Sequence, residues 1–110
     1  MIVRIWRGLT SLGNADAYRT HLTQTVFPAL IGIRGHTGAY TLQRQAQEQV
    51  EFLVVTVWES MEAIQGFAGI DTDNAVVEPE ARTLLAEFDN FVRHYKIVDG
   101  RCTERYDDGA

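Results

Sequence analysis

The segment VEFLVVTVWESMEAIQGFAG, residues 50–69, decides the fold. Its first nine residues are mostly β-branched or aromatic, which favours a strand too apolar for an exposed sheet edge. Ser60 can then cap a short helix that carries Glu62 in its first turn. A central strand therefore passes directly into a helix, with Trp58 at the end of the strand. Small α+β domains often keep a pocket at such a junction, so we expect the functional site there.

Hydrophobic periodicity extends this pattern over the rest of the chain. It predicts strands and helices with the following approximate bounds: strands at 2–9, 36–45, 50–58 and 91–98, and helices at 15–31, 60–67 and 79–88. Asn14 is the expected N-cap of the first helix, and Pro28 predicts a kink near 24–28 because an interior proline removes a backbone hydrogen bond. The order βαββαβ predicts an α+β, ferredoxin-like fold, a four-stranded antiparallel sheet with helices on one face.

The strands carry more apolar residues than a single layer of helices can cover. We assign five of them to the face opposite the helices: Ile2, Trp6, Leu53, Val55 and Val57. An uncovered apolar face is unfavourable in water, and a second copy of this short chain, packed about a two-fold axis, is the simplest cover. We therefore expect a homodimer.

Length and composition limit the class of protein. A chain of 110 residues suits one domain, which we place at residues 1–98, followed by a charged, mobile tail at 99–110. The formal net charge is −5 and the basic residues do not cluster, which argues against nucleic acid and anionic membranes as partners. Arg4 and Arg7 stand where a signal peptide needs an apolar run, and no segment has transmembrane length, so we expect a cytoplasmic protein.

Several residues together resemble the antibiotic biosynthesis monooxygenase superfamily. They are Thr56 to Ser60 with Glu62-Ala63, Pro28-Ala29-Leu30 with Gly35 and Gly38, and the pair His94-Tyr95. The resemblance covers about residues 2–98 and implies a dimeric α/β barrel. Members of the superfamily include cofactor-independent quinone-forming monooxygenases, heme-degrading enzymes and proteins of unknown activity.

The resemblance also implies where a site lies. It places a pocket between the sheet and the helices, with a wall tryptophan that matches Trp58. Arg7 best matches a polar residue that heme-degrading members carry late in the first strand, in place of their usual asparagine. Those members supply an axial histidine from the region after the tryptophan strand, but residues 59–88 contain no histidine. We therefore expect no heme by that route, and no cofactor.

The candidate residues each have a structural alternative. Trp58 either stacks on a flat substrate or fills the core, and Arg7 either holds a substrate oxygen or pairs with a buried partner such as a glutamate. His94 is the candidate base, although a histidine that supports the sheet fits its strand better. His21 borders the inner face of the first helix. The remaining candidates are aromatic residues that belong either to the core or to the cavity wall: Tyr18, Tyr40, Phe52 and Phe67.

Three functions remain open at this point. The leading hypothesis is a cofactor-independent monooxygenase of an aromatic, phenolic or quinone-like substrate, with Trp58 as wall, Arg7 as anion holder and His94 as base. The first alternative is a dimer that binds a small hydrophobic or aromatic molecule without turnover. The second is heme binding or degradation. No metal site is expected, because the histidines lack ligand spacing.

Overall fold

The computed structural model describes residues 1–101, so most of the predicted tail at 99–110 lies outside the described residues. In chain order its elements are β1 (Ile2–Ser11), a 3-10 turn (Leu12–Asn14), α1 (Ala15–His21), a π-helical turn (Leu22–Val26), α2 (Phe27–Ile31), β2 (His36–Ala46), β3 (Gln49–Trp58), α3 (Met61–Ala68), α4 (Pro79–Leu84), β4 (Glu87–Phe88) and β5 (Arg93–Lys96). The antiparallel sheet has the order β2-β3-β1-β4, and β5 also pairs with β1. Strands β4 and β5 together serve as the fourth strand, which confirms the predicted ferredoxin-like α+β fold.

The first helical segment covers the predicted range but changes its winding. Helix α1 passes through the π-helical turn into α2, which carries Pro28 in its first turn, where the missing proline N–H costs least. The predicted kink near 24–28 is therefore a wide turn. Asn14 makes no side-chain capping bond; Ser11 instead accepts from the Asn14 amide, and the Asn14 side chain donates to the Leu84 carbonyl at 3.2 Å.

The prediction of a third helix at 79–88 is wrong in its second half. Helix α4 ends at Leu84, and the chain then becomes extended. The Ala86 amide donates to the Leu9 carbonyl at 2.8 Å, and the Asp89 amide donates to the Arg7 carbonyl at 3.0 Å. The amides of this segment thus hydrogen-bond to the free edge of β1. These bonds favour an extended chain over the helix that the spacing of the apolar residues predicts.

The register of the sheet corrects the predicted face assignment. Ile2 lies opposite Trp58 and Trp6 opposite Val54, and these residues face the helices. Residues that lie directly opposite each other in an antiparallel pair share a face. The uncovered face therefore contains Leu53, Val55 and Val57 as predicted, but Ile2 and Trp6 were wrongly assigned to it. Their places are taken by the partners of those β3 residues: Val3, Ile5 and Arg7.

The helix face of the sheet holds the core in two clusters. One is built around Tyr18, Leu22 and Phe52, and the other around Leu30, Trp58 and Ile64. The Ser60 hydroxyl accepts from the Ala63 amide at 3.2 Å, which fixes the start of α3 as predicted. Within residues 1–101, no helix is long and apolar enough to span a membrane.

Gly35 permits a close approach between the turn before β2 and helix α3. Its φ is 87°, and a Cβ placed on it would overlap the Cβ of Ala63. Its carbonyl accepts from the Glu59 amide at 2.8 Å, so this turn also fixes the end of β3. A side chain at position 35 would therefore displace α3 as well as strain the backbone.

We predict that Gly35→Ala lowers the free energy of unfolding by about 2–4 kcal/mol, through the left-handed backbone and the overpacking. Gly32→Ala is the matched control, because Gly32 has an ordinary φ of −84° and open space around its Cα. That control should leave stability unchanged or raise it by about 0.5–1 kcal/mol. Denaturant titration measures both variants, and equal effects would contradict the assigned role of Gly35.

Candidate functional site

A cavity of about 110 Å³ lies between the sheet and the helices. Its wall is mainly apolar, and the residues that contribute polar groups to it are Arg4, Tyr18, His21, Thr56 and Glu78. An apolar protein cavity of ~150 Å³ can bind benzene, so this volume corresponds to about one ring. Ala29 lines the cavity and is itself exposed, which places it at the mouth.

Arg4 is a buried cation in the cavity wall, with only 4% of its surface exposed. Its Nη1 donates to the Thr72 carbonyl, and its Nη2 donates to the Asn74 carbonyl at 2.9 Å. The guanidinium also lies over the Phe67 ring, 5.7 Å from its centroid. Burial lowers the pKa of Arg4 while the Asp73 carboxylate acts in the opposite direction, but an arginine remains charged in either case. The cavity therefore has a permanent positive charge.

His94 lies beside Arg4 on the edge strand β5 rather than in the cavity wall. Its Nε2 is 3.0 Å from Arg4 Nη1, and its Nδ1 is 3.4 Å from Asp73 Oδ1. Because the guanidinium can only donate, Nε2 must accept and Nδ1 carries the proton. Burial, followed by the charge of Arg4, lowers the pKa of His94. The lone pair that a general base needs therefore already faces Arg4.

His21 and Tyr18 are the predicted candidates from α1, and both line the cavity. Both are buried, and their ring centroids are 6.4 Å apart. Burial raises the pKa of Tyr18 well above its usual range, so its hydroxyl remains protonated and can donate. His21 Nδ1 is 3.8 Å from Glu80 Oε2, an ion-pair distance rather than a hydrogen bond.

Trp58 lies one layer behind the cavity wall. It is fully buried, its ring stacks on Phe67 at 5.4 Å between centroids, and its Nε1 donates to Thr56 Oγ1 at 2.8 Å. Phe67 and Thr56 line the cavity, whereas Trp58 does not. The predicted wall residue therefore fills the core, and it positions two residues that do form the wall.

Three other candidates lie outside the cavity. Arg7 forms an ion pair with Glu51 on the opposite face of the sheet, so the expectation that it points into the cavity is wrong, and its glutamate alternative describes the structure. Tyr40 lies on the same uncovered face and is 60% exposed. Phe52 is buried in the core, with its ring edge-on to Tyr18 at 5.0 Å.

Sequence reasoning missed Arg4 and the loop that it holds. Val76, Val77 and Glu78 come from a turn-rich passage and form one side of the cavity. The apolar pair Val76-Val77 inside a polar passage was the available signal for that side. The signal for Arg4 was weaker: it lies two residues before Trp6 in β1, so the two side chains share a face of the sheet. Among residues 1–101, no group of three or more His, Cys, Asp or Glu could hold a metal ion.

We predict that stability falls when His94 is protonated. A histidine whose pKa is lowered in the folded state binds its proton more readily when unfolded, so the free energy of unfolding falls as the pH drops below about 6.5. The fall ends below the lowered pKa, where both states carry the proton. Denaturant titrations at several pH values should show a smaller fall in His94→Gln than in the wild type.

His36 should contribute to the pH dependence in the same direction, because burial also lowers its pKa. The double variant His36→Gln with His94→Gln should show the flattest profile over this pH range. A profile in His94→Gln that is identical to the wild-type profile would contradict the partly buried, neutral state of His94.

Comparison with known proteins supports the fold. No family model matches the chain, and no curated protein matches it. A Bacillus cereus structure described as a "putative antibiotic biosynthesis monooxygenase" superposes with a TM-score of 0.68 at 14% identity, over 96% of this chain and 98% of the other. A Deinococcus radiodurans structure with the same description gives 0.66 at 13% identity, over 96% and 100% of the two chains.

A third similar structure is the heme degrader MhuD from Mycobacterium tuberculosis, with two hemes bound in its active site. It gives a TM-score of 0.60 at 19% identity, over 93% of this chain and 100% of MhuD. Identities this low support the fold rather than a shared reaction. The chain therefore has the ferredoxin-like fold of the proteins described as antibiotic biosynthesis monooxygenases, as its sequence resemblance predicts.

Proposed function

We propose that this protein is a small cofactor-independent monooxygenase of an aromatic, phenolic or quinone-like molecule bound between the sheet and the helices. The observation that supports the proposal is an apolar cavity of about 110 Å³ with the buried guanidinium of Arg4 in its wall. A fixed positive charge in a poorly hydrated site stabilises an anion much more than it would in water. A bound phenol can then lose its proton and become electron-rich.

Such an anion can reduce dioxygen without help from a cofactor. For a phenol with a free para position, the balanced reaction is phenol plus O₂ giving quinone plus water. The substrate supplies all four electrons, one oxygen atom becomes the new carbonyl, and the other leaves as water. The protein would provide the anion-stabilising charge, a base and a dry cavity. The proposal also takes the cytoplasm as the location, as the sequence predicts.

Binding without turnover is the alternative that one observation favours. The Arg4 donors are already directed at two loop carbonyls and at His94, which is the arrangement of a structural arginine. We do not propose heme degradation. The cavity has the size of about one ring, and residues 59–88 contain no histidine to act as an axial ligand.

Oxygen consumption with a panel of single-ring phenols and hydroquinones, in chelator-treated buffer, tests the proposal. We expect O₂ uptake, a quinone absorption band, and one ¹⁸O atom in the product from ¹⁸O₂. Ala29→Trp should block the mouth and abolish uptake. Ala17→Trp, at an exposed alanine of α1 outside the cavity wall, is the matched control and should retain it. Ligand binding without uptake by any substrate would favour the alternative.

We further propose that the uncovered sheet face joins two copies of this chain. Val3, Ile5, Leu53, Val55 and Val57 form its apolar centre. Tyr40, Leu42 and Tyr95 continue it outward and are at least half exposed in the single chain. An apolar face across four strands is larger than a monomer normally leaves in water, and a self-complementary patch suits a two-fold dimer.

Light scattering measures the assembly. The wild type should give twice the 12.4 kDa mass of the chain. Val55→Arg places a charge at the centre of the face and should give monomers. Gln65→Arg adds the same charge at an exposed site on α3 and should leave the dimer intact. A wild-type monomer at micromolar concentration would contradict the proposed interface.

A further inference from the structure

Arg4 is a buried cation whose hydrogen-bond partners are all uncharged in the described part of the chain. These partners are the Thr72 and Asn74 carbonyls and the neutral ring of His94. Arg4 forms no ion pair with a carboxylate within residues 1–101, and Asp73 contacts it only through His94. Buried charges in proteins are usually paired with an opposite charge. An anion is therefore the kind of ligand that Arg4 favours.

The guanidinium of Arg4 retains two donors for such an anion. A guanidinium has five N–H groups, and three of them serve the partners named above. Nε–H and one N–H of Nη2 make no bond within residues 1–101. Nε is not one of the fully enclosed side-chain atoms without a partner, so it is accessible, and Arg4 lines the cavity. Donors on two nitrogens of one guanidinium match the two oxygens of a carboxylate, whereas a phenolate has only one oxygen.

Trp6 provides an aromatic surface beside this charge. It lies two residues after Arg4 on the same face of β1, and it also lines the cavity. Its Nε1 donates to the Asp89 carbonyl at 2.9 Å, which restricts rotation of the indole. A flat ring packs favourably against an indole, and the cavity has the volume of about one ring. A ring held beside Trp6 therefore brings its substituent close to Arg4.

We propose that the ligand of this cavity is a single-ring aromatic carboxylate, with its carboxylate on Nε and Nη2 of Arg4 and its ring against Trp6. This inference rests on the proposed function, because it takes the cavity as the ligand site, and it narrows the substrate class to aromatic molecules that carry a carboxylate. Such a molecule is already ionised at neutral pH, so its binding needs no proton transfer. Glu78 is the acidic residue of the wall, but it is partly exposed, so water weakens its repulsion of the ligand.

Binding of benzoate and of benzamide tests the inference. The two probes have the same ring and nearly the same shape, but only benzoate is charged and offers two equivalent acceptor oxygens. Calorimetric titration of the wild type should give an affinity for benzoate about tenfold above that for benzamide. Ala29→Trp should abolish the binding of both probes by blocking the mouth. Ala17→Trp should retain it, which places both probes in the cavity.

Arg4→Lys keeps the charge but replaces the planar fork with a single ammonium group. It should bind benzoate about tenfold more weakly than the wild type and benzamide within about twofold. Arg34→Lys, at an exposed arginine outside the cavity wall, is the matched control and should bind both probes as the wild type does. A purely structural role for Arg4 would weaken the binding of both probes alike.

The NMR signal of the Arg4 Nε–H group gives a second readout, which needs no variant that could fail to fold. In the wild type, benzoate should move this proton downfield, because a hydrogen bond between two charged groups is short. Benzamide should move it much less. A proton that does not respond to saturating benzoate would contradict the proposed contact.

Three further results would overturn the inference. They are equal affinities of the wild type for the two probes, binding of neither probe, and a preference for benzoate that persists in Arg4→Lys. Failure of the monooxygenase proposal gives a different result, namely benzoate bound at Arg4 with the expected preference in a protein that consumes no oxygen with any hydroxybenzoate or other phenol.

Discussion

The buried guanidinium of Arg4 is the interaction on which the rest of the site depends. A charge removed from water must be compensated nearby, and here two loop carbonyls and His94 do so. The same contacts hold the loop before α4 against the sheet, and that loop forms one side of the cavity. The buried charge of Arg4 needs these partners, and their hydrogen bonds fix the position of the loop that carries Thr72 and Asn74, about 70 residues later in the chain.

Successive side chains of β1 lie on opposite faces of the sheet, and two arginines of this strand therefore have different surroundings. Arg4 and Arg7 both lie on β1 but on opposite faces, and each finds a different kind of partner. Arg4 is enclosed beneath the helices by backbone carbonyls. Arg7 pairs with Glu51, which also accepts from Arg44, and this ion cluster lies at one end of the uncovered face. These two arginine bonds lower the pKa of Glu51, with Arg44 as the larger cause.

Periodicity and capping were sufficient to predict the element order and most of the bounds, because strands and helices bury residues at different intervals. They failed after Leu84, because hydrogen bonds to the free edge of β1 hold this segment extended although its apolar residues have helical spacing. For the site, Tyr18, His21 and Phe67 were predictable from their elements. Arg4 was not, since its partners are carbonyls of a loop without a sequence pattern. Trp58 was placed one layer too close to the cavity.

The π-helical turn at Leu22–Val26 connects the shape of the cavity to the length of the chain. This turn supplies Leu22 and Val26 to the wall and holds one more residue than an α-helical turn would. Loss of a single residue here would allow this turn to close as an α-helical turn, which changes the residues that it presents to the cavity while the helix from Phe27 onward keeps its orientation. The wall could thus be rebuilt by a one-residue deletion with the sheet unchanged. Evolution could alter ligand preference on this scaffold through helix length as readily as through substitution.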